Sequence, residues 1–187
     1  HQSLIATKSR RIVRAAQGRA VSDFGARRAH NMDAAVYGAR AAFIGGAAGT
    51  ATVLAGQMFD IPVGGTMAHS WVMFYQDELT AFRNYAKMYP NNCILLADTY
   101  DILGSGVPHA IQVFREMKEA GTLNGAYGIR LDSGDLAYKS KAARRMLDEA
   151  GFTDAKIVVS NSLDEYTISS LNRQGAKIDS YGVGERL

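Results

Sequence analysis

From residue 59 onward the chain alternates short apolar runs with amphipathic segments, and only a few residues separate one from the next. That alternation constrains the fold most. Strands joined through helices in this way run parallel, as repeated βα units. The runs Ile61–Gly65, Cys93–Ala97, Gly128–Leu131, Lys156–Ser160 and Ser180–Val183 read as strands. The segments Asp77–Met88, Pro108–Ala120, Asp135–Ala150 and Asp164–Gln174 read as helices; Leu79, Phe82, Tyr85 and Ala86 share one side of the first. Gly151 and Gly175 supply two of the stops, and residues 3–16 read as an earlier helix ended by Gly18.

Polar residues recur where each strand ends: Thr66–His69, Asp98, Arg130–Asp132, Ser160–Asn161 and Gly182–Gly184. In a parallel (β/α) barrel such ends gather on one face, where active sites form. In an open doubly wound sheet they spread along an edge, except at a switch point. Five polar strand ends in succession favour the barrel, read as a single domain over 1–187. The first residues, His1-Gln2-Ser3, fall inside a helical pattern without a Met, and the last, Gly184-Glu185-Arg186-Leu187, follow a strand directly. Both ends read as cut, which predicts an incomplete barrel from a longer protein.

Composition excludes several classes. The net charge of +3 is too small to imply nucleic-acid binding, and the early basic residues (Lys8, Arg10, Arg11, Arg14) read as a solvated helix face. No signal peptide or 18-residue apolar stretch is present, so no membrane partner is expected and the cytoplasm is the expected location. The one cysteine, Cys93, lies in an apolar run and reads as a buried strand residue rather than a nucleophile.

His69 is the first candidate for chemistry. Asp98 ends the next strand and Asp132 the one after it, and a carboxylate held against one imidazole nitrogen leaves the other as base or nucleophile. Arg27 and Arg28 follow Phe24-Gly25. Arginine grips carboxylates and phosphates bidentately, while Phe24 offers a flat face to an aromatic ring. Arg130 suits an anionic group; Asp132 suits ribose hydroxyls, a magnesium ion or a developing positive charge. Ser133 or Asp135 reads as a helix cap. Gly182 and Gly184 let backbone N–H groups approach a phosphate. No Walker A or Gly-x-Gly-x-x-Gly fingerprint occurs, and no residue is assigned as a metal ligand.

Together these stretches resemble the nicotinate phosphoribosyltransferase family. The residues that carry the likeness are Asp23-Phe24-Gly25-x-Arg27-Arg28-Ala29-His30, Gly49-Thr50, Gly65-Thr66-x-Ala68-His69-Ser70 and Asp98-Thr99-Tyr100-Asp101. Gly128-Ile129-Arg130-Leu131-Asp132-Ser133-Gly134-Asp135, Ser160-Asn161 and Tyr181-Gly182-Val183-Gly184 continue it, in order, through nearly the whole chain. The resemblance implies a type II phosphoribosyltransferase-like, irregular α/β barrel. It further implies transfer of phosphoribosyl from phosphoribosyl pyrophosphate (PRPP) to nicotinate, giving nicotinate mononucleotide and pyrophosphate in NAD salvage. The resemblance also implies that ATP hydrolysis is coupled to the transfer through a phosphohistidine that matches His69, with Mg2+ expected alongside PRPP and ATP, and that the full-length protein is a homodimer.

By the same resemblance, Phe24 matches the aromatic that stacks on the pyridine, and Arg27 a residue near the ring and pyrophosphate. Arg28 and Ser70 fall within the matching stretches; Thr66 and Arg130 match contacts to nicotinate. Asp98 and Asp132 match acids beside the histidine and ribose, and Ser160, Asn161, Gly182 and Gly184 the ribose and 5-phosphate wall. The nicotinamide-using relative carries an aspartate in its Gly-Thr-x-Thr-Val segment, where this chain has Ala51, which favours nicotinate. Glu185 and Asn31-Met32 depart from the family pattern. The alternative readings are transfer to nicotinamide or quinolinate, or a non-catalytic nucleotide-binding fragment.

Overall fold

A computed structural model describes residues 1–187. Six strands occur in chain order: β1 (Ala20–Asp23), β2 (Gly49–Thr50), β3 (Asn92–Leu96), β4 (Ala126–Leu131), β5 (Lys156–Val159) and β6 (Ser180–Val183). The helices are α1 (Gln2–Ala15), α2 (Met32–Ile44), α3 (Val53–Phe59) and α4 (His69–Phe74), then α5 (Glu78–Met88), α6 (Val107–Glu119), α7 (Leu136–Glu149) and α8 (Glu165–Arg173). The strands hydrogen-bond as one sheet in the order β2-β1-β6-β5-β4-β3. The registered pairs are parallel, as the βα alternation requires. No helix is long and apolar enough to cross a membrane.

The chain divides into two compact units: His1–Gly65 with Val159–Gly175 and Asp179–Leu187, and Thr66–Val158 with Ala176–Ile178. In the first, β1 lies between β2 and β6, with Asp23 opposite Thr50 on one side and Val183 on the other. Helix α1 packs on α2 so closely that a Cβ at Gly45 would sit 2.6 Å from the Ala6 carbonyl oxygen. There the Ser9 hydroxyl, fully buried, donates to the Ala42 carbonyl at 2.9 Å. On its other side α1 meets α8 through the Lys8–Glu165 ion pair. Asn172 of α8 donates to the Ala15 carbonyl at 2.8 Å and accepts from the Tyr181 hydroxyl at 2.6 Å, which fixes helix to strand.

In the second unit β3 and β4 pair from Asn92–Ala126 to Leu96–Arg130. Cys93, Ile94, Leu95 and Leu96 are all buried, which explains the unbroken apolar run: a parallel strand covered on both faces has no polar side to display. Each such leucine contributes roughly 1.5–3 kcal/mol by leaving water. Arg83 of α5 grips Glu116 of α6 through two bonds, at 2.9 and 2.6 Å, and Glu78 accepts from His109 Nδ1 at 2.8 Å. Phe114, Tyr127 and Phe152 meet edge to face beneath them.

The parallel α/β architecture is the expected one, and most boundaries fall within two residues of the sequence reading. One strand differs. Ile61–Gly65 forms no strand; only Val63 makes an isolated bridge, to Thr50. Pro62 brings no N–H to a ladder, so its carbonyl alone is used, accepting from Thr50 N at 3.0 Å. The two-residue β2, to which that bridge is made, has no counterpart among the strands expected from the sequence.

Candidate active site

Within each unit the candidate residues lie at or just past the ends of the parallel strands, except Thr66, His69 and Ser70, which lead into and open α4. In the second unit Asp98 follows β3 at a pinned turn. A Cβ at Gly106 would come 1.9 Å from the Ala97 carbonyl oxygen, so the returning backbone lies directly on the strand end. Asp101 holds the turn by accepting from Leu103 N at 3.1 Å and Gly104 N at 3.0 Å. The Asp98 side chain is 1% exposed, and both its oxygens are engaged. Oδ1 meets His69 Nε2 at 3.1 Å, and Oδ2 accepts from the Asp132 amide at 3.2 Å.

His69 is the first residue of α4, and its ring is 40% exposed. With Nε2 held against a carboxylate, Nδ1 is the ring nitrogen left for chemistry. Near the end of β4, Arg130 donates to Thr66 Oγ1 at 2.8 Å and pairs with Asp132 Oδ2 at 3.2 Å. The result is a continuous polar chain, Thr66–Arg130–Asp132–Asp98–His69. Ser70 stands exposed in the first turn of α4. Asp135 caps α7 by accepting from Tyr138 N at 2.9 Å, so capping accounts for Asp135 and leaves Asp132 to the site.

The first unit holds the other group. Phe24 follows β1, and its amide donates to the Val183 carbonyl at 2.7 Å. The Phe24 ring lies against Gly182, where a Cβ would meet ring carbon Cε2 at 2.3 Å; only glycine fits there. Arg27 and Arg28 are exposed in a 3-10 turn, Ala26–Arg28. Arg28 Nε comes 3.9 Å from Glu185, whose carboxylate also accepts from Ser162 at 3.0 Å. Ser160 is buried, whereas Asn161 and Ser162 take left-handed backbone, φ +86° and +49°. Two successive non-glycine residues in that region cost energy, and such strain concentrates at ligand-binding sites.

Two residues of this group drew no role from sequence. Asp23, 4% exposed, accepts from Thr50 Oγ1 at 2.6 Å and from Gly25 N at 2.8 Å. Burial pushes the Asp23 carboxyl above the usual aspartate range, although both hydrogen bonds pull the other way. An acid ending a four-residue strand was the available signal. Asp23, Arg28, His30, Gly184 and Glu185 contribute to the wall of a cavity of about 330 Å³. No group of three His, Cys, Asp or Glu residues is placed to hold a metal ion. Magnesium is commonly bound by one or two carboxylates together with substrate phosphates; both Asp98 oxygens are engaged, which leaves Asp132 as the carboxylate of this group suited to such a complex.

Residues 19–187 match the model of the nicotinate phosphoribosyltransferase (NAPRTase) family. The chain is 56% identical over 187 residues to nicotinate phosphoribosyltransferase of Bacillus subtilis strain 168, covering all of this chain and 37% of that protein. It is 47% identical over 186 residues to nicotinate phosphoribosyltransferase pncB2 of Mycobacterium tuberculosis, covering 39% of it. The crystal structure of human nicotinic acid phosphoribosyltransferase superposes with a TM-score of 0.84 at 26% identity, over 98% of this chain and 47% of that one. The chain thus spans about two fifths of the length of the curated relatives it matches. On the family match and this identity across its full length, the chain belongs to the nicotinate phosphoribosyltransferase family.

Proposed function

We propose that the complete protein transfers phosphoribosyl from PRPP to the ring nitrogen of nicotinate, forming nicotinate mononucleotide and pyrophosphate in NAD salvage. Family membership supports the reaction class. The observation that carries the mechanism is the contact of His69 Nε2 with the buried Asp98 carboxylate at 3.1 Å.

Substitution at an anomeric carbon passes through an oxocarbenium-like state, positive at the ribose while negative charge grows on the departing pyrophosphate. Asp132 and Asp98 are fixed carboxylates suited to the first charge; Arg130, Arg27 and Arg28 suit carboxylate, phosphate and pyrophosphate. A preorganised group of this kind supplies roughly 2–4 kcal/mol of barrier lowering. Phe24 serves as the platform for the pyridine, with Thr66 beside its carboxylate through Arg130. Gly182, Gly184, Ser160 and Asn161 form the wall for ribose and 5-phosphate.

ATP hydrolysis is coupled to the transfer through phosphorylation of His69. Asp98 orients the ring with Nε2 bound, so Nδ1 attacks the γ-phosphorus. The bond from phosphorus to the bridging oxygen breaks and ADP leaves. Phosphohistidine adds about −2 charge, which retunes the affinity for PRPP and pyrophosphate, and water then releases the phosphate. Mg2+ accompanies the polyphosphates. The complete protein works as a cytoplasmic homodimer, and Ala51 leaves the acceptor pocket without the acid that would repel nicotinate.

The test is product analysis with the complete protein, given PRPP and each of nicotinate, nicotinamide and quinolinate, with and without ATP. Nicotinate mononucleotide is the expected product, formed faster with ATP. Turnover of nicotinamide or quinolinate in preference to nicotinate would overturn the reading.

A further inference from the structure

We infer that Asp23 and Thr50 are positioning residues that hold the Phe24 platform for the pyridine, through a buried carboxylate clamped between a hydroxyl and a backbone amide. The inference rests on the proposed function for Phe24's role and goes beyond it in naming what keeps the ring in place.

Asp23 and Thr50 sit side by side at the ends of β1 and β2, and both are almost wholly buried. A buried carboxylate is costly without partners, and this one has two, each on a different segment. Its Oδ2 accepts from Thr50 Oγ1 at 2.6 Å; its Oδ1 accepts from Gly25 N at 2.8 Å. Thr50 is a node in turn. Its hydroxyl accepts from Thr52 N at 2.9 Å, its amide donates to the Pro62 carbonyl at 3.0 Å, and its carbonyl accepts from Gly64 N at 3.0 Å. One residue therefore joins the chain leaving β2 to the Pro62–Gly64 segment.

Phe24 lies between the two atoms that Asp23 governs. The backbone is held before the ring by the β1–β2 ladder, with Ala51 N donating to the Asp23 carbonyl at 2.9 Å, and after it by Gly25 N on the carboxylate. The turn that follows, closed by Arg28 N on the Gly25 carbonyl at 2.9 Å, carries Arg27 and Arg28. The ring has no slack on its inner side, because it already rests where a Gly182 Cβ would be. Releasing Gly25 frees the peptide immediately after the ring; releasing Thr50 leaves a buried carboxylate oxygen without its donor, which shifts the same turn. The hydrogen bonds of both side chains run only to each other, to Gly25 and to Thr52, so the expected effect falls on pyridine binding.

The experiment uses the complete protein carrying Thr50→Val, Thr50→Ser and Asp23→Asn. Thr50→Val removes the donor at nearly constant shape and is expected to raise the KM for nicotinate about tenfold, with the KM for PRPP and kcat within about twofold, the loss of one hydrogen bond to a charged group. Thr50→Ser is expected to restore the parent KM, and Asp23→Asn to follow Thr50→Val. A merely structural role would lower stability and move all three constants together, without rescue by serine. A second readout does not depend on turnover: the 19F spectrum of 4-fluorophenylalanine-labelled protein, with the Phe24 signal identified by its loss in Phe24→Leu. Thr50→Val is expected to shift that signal and Thr50→Ser to return it. An unmoved Phe24 signal, or an unchanged nicotinate KM in Thr50→Val, overturns the inference. If the parent protein turns over no nicotinate, the proposed reaction fails, and the 19F result alone decides the positioning.

Discussion

A carboxylate with both oxygens committed behaves as a fixed object, and each compact unit holds one in its own candidate group. Asp98 spends its oxygens on His69 and the Asp132 amide, Asp23 on Thr50 and Gly25. Only the first pairing was legible in the sequence, because His69, Asp98 and Asp132 stand at successive segment ends and imidazole next to acid is a recognisable chemical pair. The second was not, since a threonine hydroxyl near an aspartate leaves no pattern without the register of β1 on β2. Cys93 makes the opposite case, a potentially reactive side chain silenced by its surroundings. Burial pushes its thiol up to about 12, which leaves almost no thiolate in neutral solution. Iodoacetamide is therefore expected to leave Cys93 unmodified in the folded protein and to label it fully in denaturant. Rapid labelling of the native protein would show that β3 opens or that the thiol is exposed.

At the scale of elements, strands covered on both faces and helices with capped ends announced themselves. Asp77 and Asp164, read as the first residues of their helices, cap α5 and α8, and β3 is apolar after its exposed first residue, Asn92, because its buried positions face only apolar neighbours. The region from Met32 to Phe74 was harder. Helix α2 is rich in alanine, α3 and α4 have only seven and six residues, and β2 has only two, so none of them shows a clear periodic face. A chain of apolar residues around Pro62 looked more like a strand than the strand itself. One element contact makes a pH prediction. Burial alone would raise the Glu165 carboxyl, but the Lys8 hydrogen bond and charge outweigh it and hold it below the usual glutamate range. A depressed carboxyl stabilises the fold above its unfolded titration range, and that contribution is lost as pH falls through the folded one. Lys8→Met is expected to lose about 1 kcal/mol near neutrality, with the deficit shrinking as the solution is acidified. Urea midpoints measured across that range check it; parallel curves for the two proteins would mean the α1–α8 ion pair contributes nothing.

For the whole molecule, strand alternation and polar strand ends identified a parallel α/β fold before any distance was known, and the family match agrees with it. The organisation into two compact units was not written in the sequence, because no linker, repeat or change of composition marks the crossings at Gly65 and Val158. The chain instead crosses in the loop after Gly65, within β5 after Val158, and on either side of Ala176–Ile178, between α8 and β6. In the proposed mechanism the imidazole set against Asp98 accepts phosphate on the way to nicotinate mononucleotide. That step is tested most directly by incubating the complete protein with γ-phosphate-labelled ATP and measuring protein-bound label. Acid-labile, alkali-stable label is expected in the parent, none in His69→Ala, and a marked reduction in Asp98→Asn. Equal labelling of His69→Ala and the parent would contradict the claim.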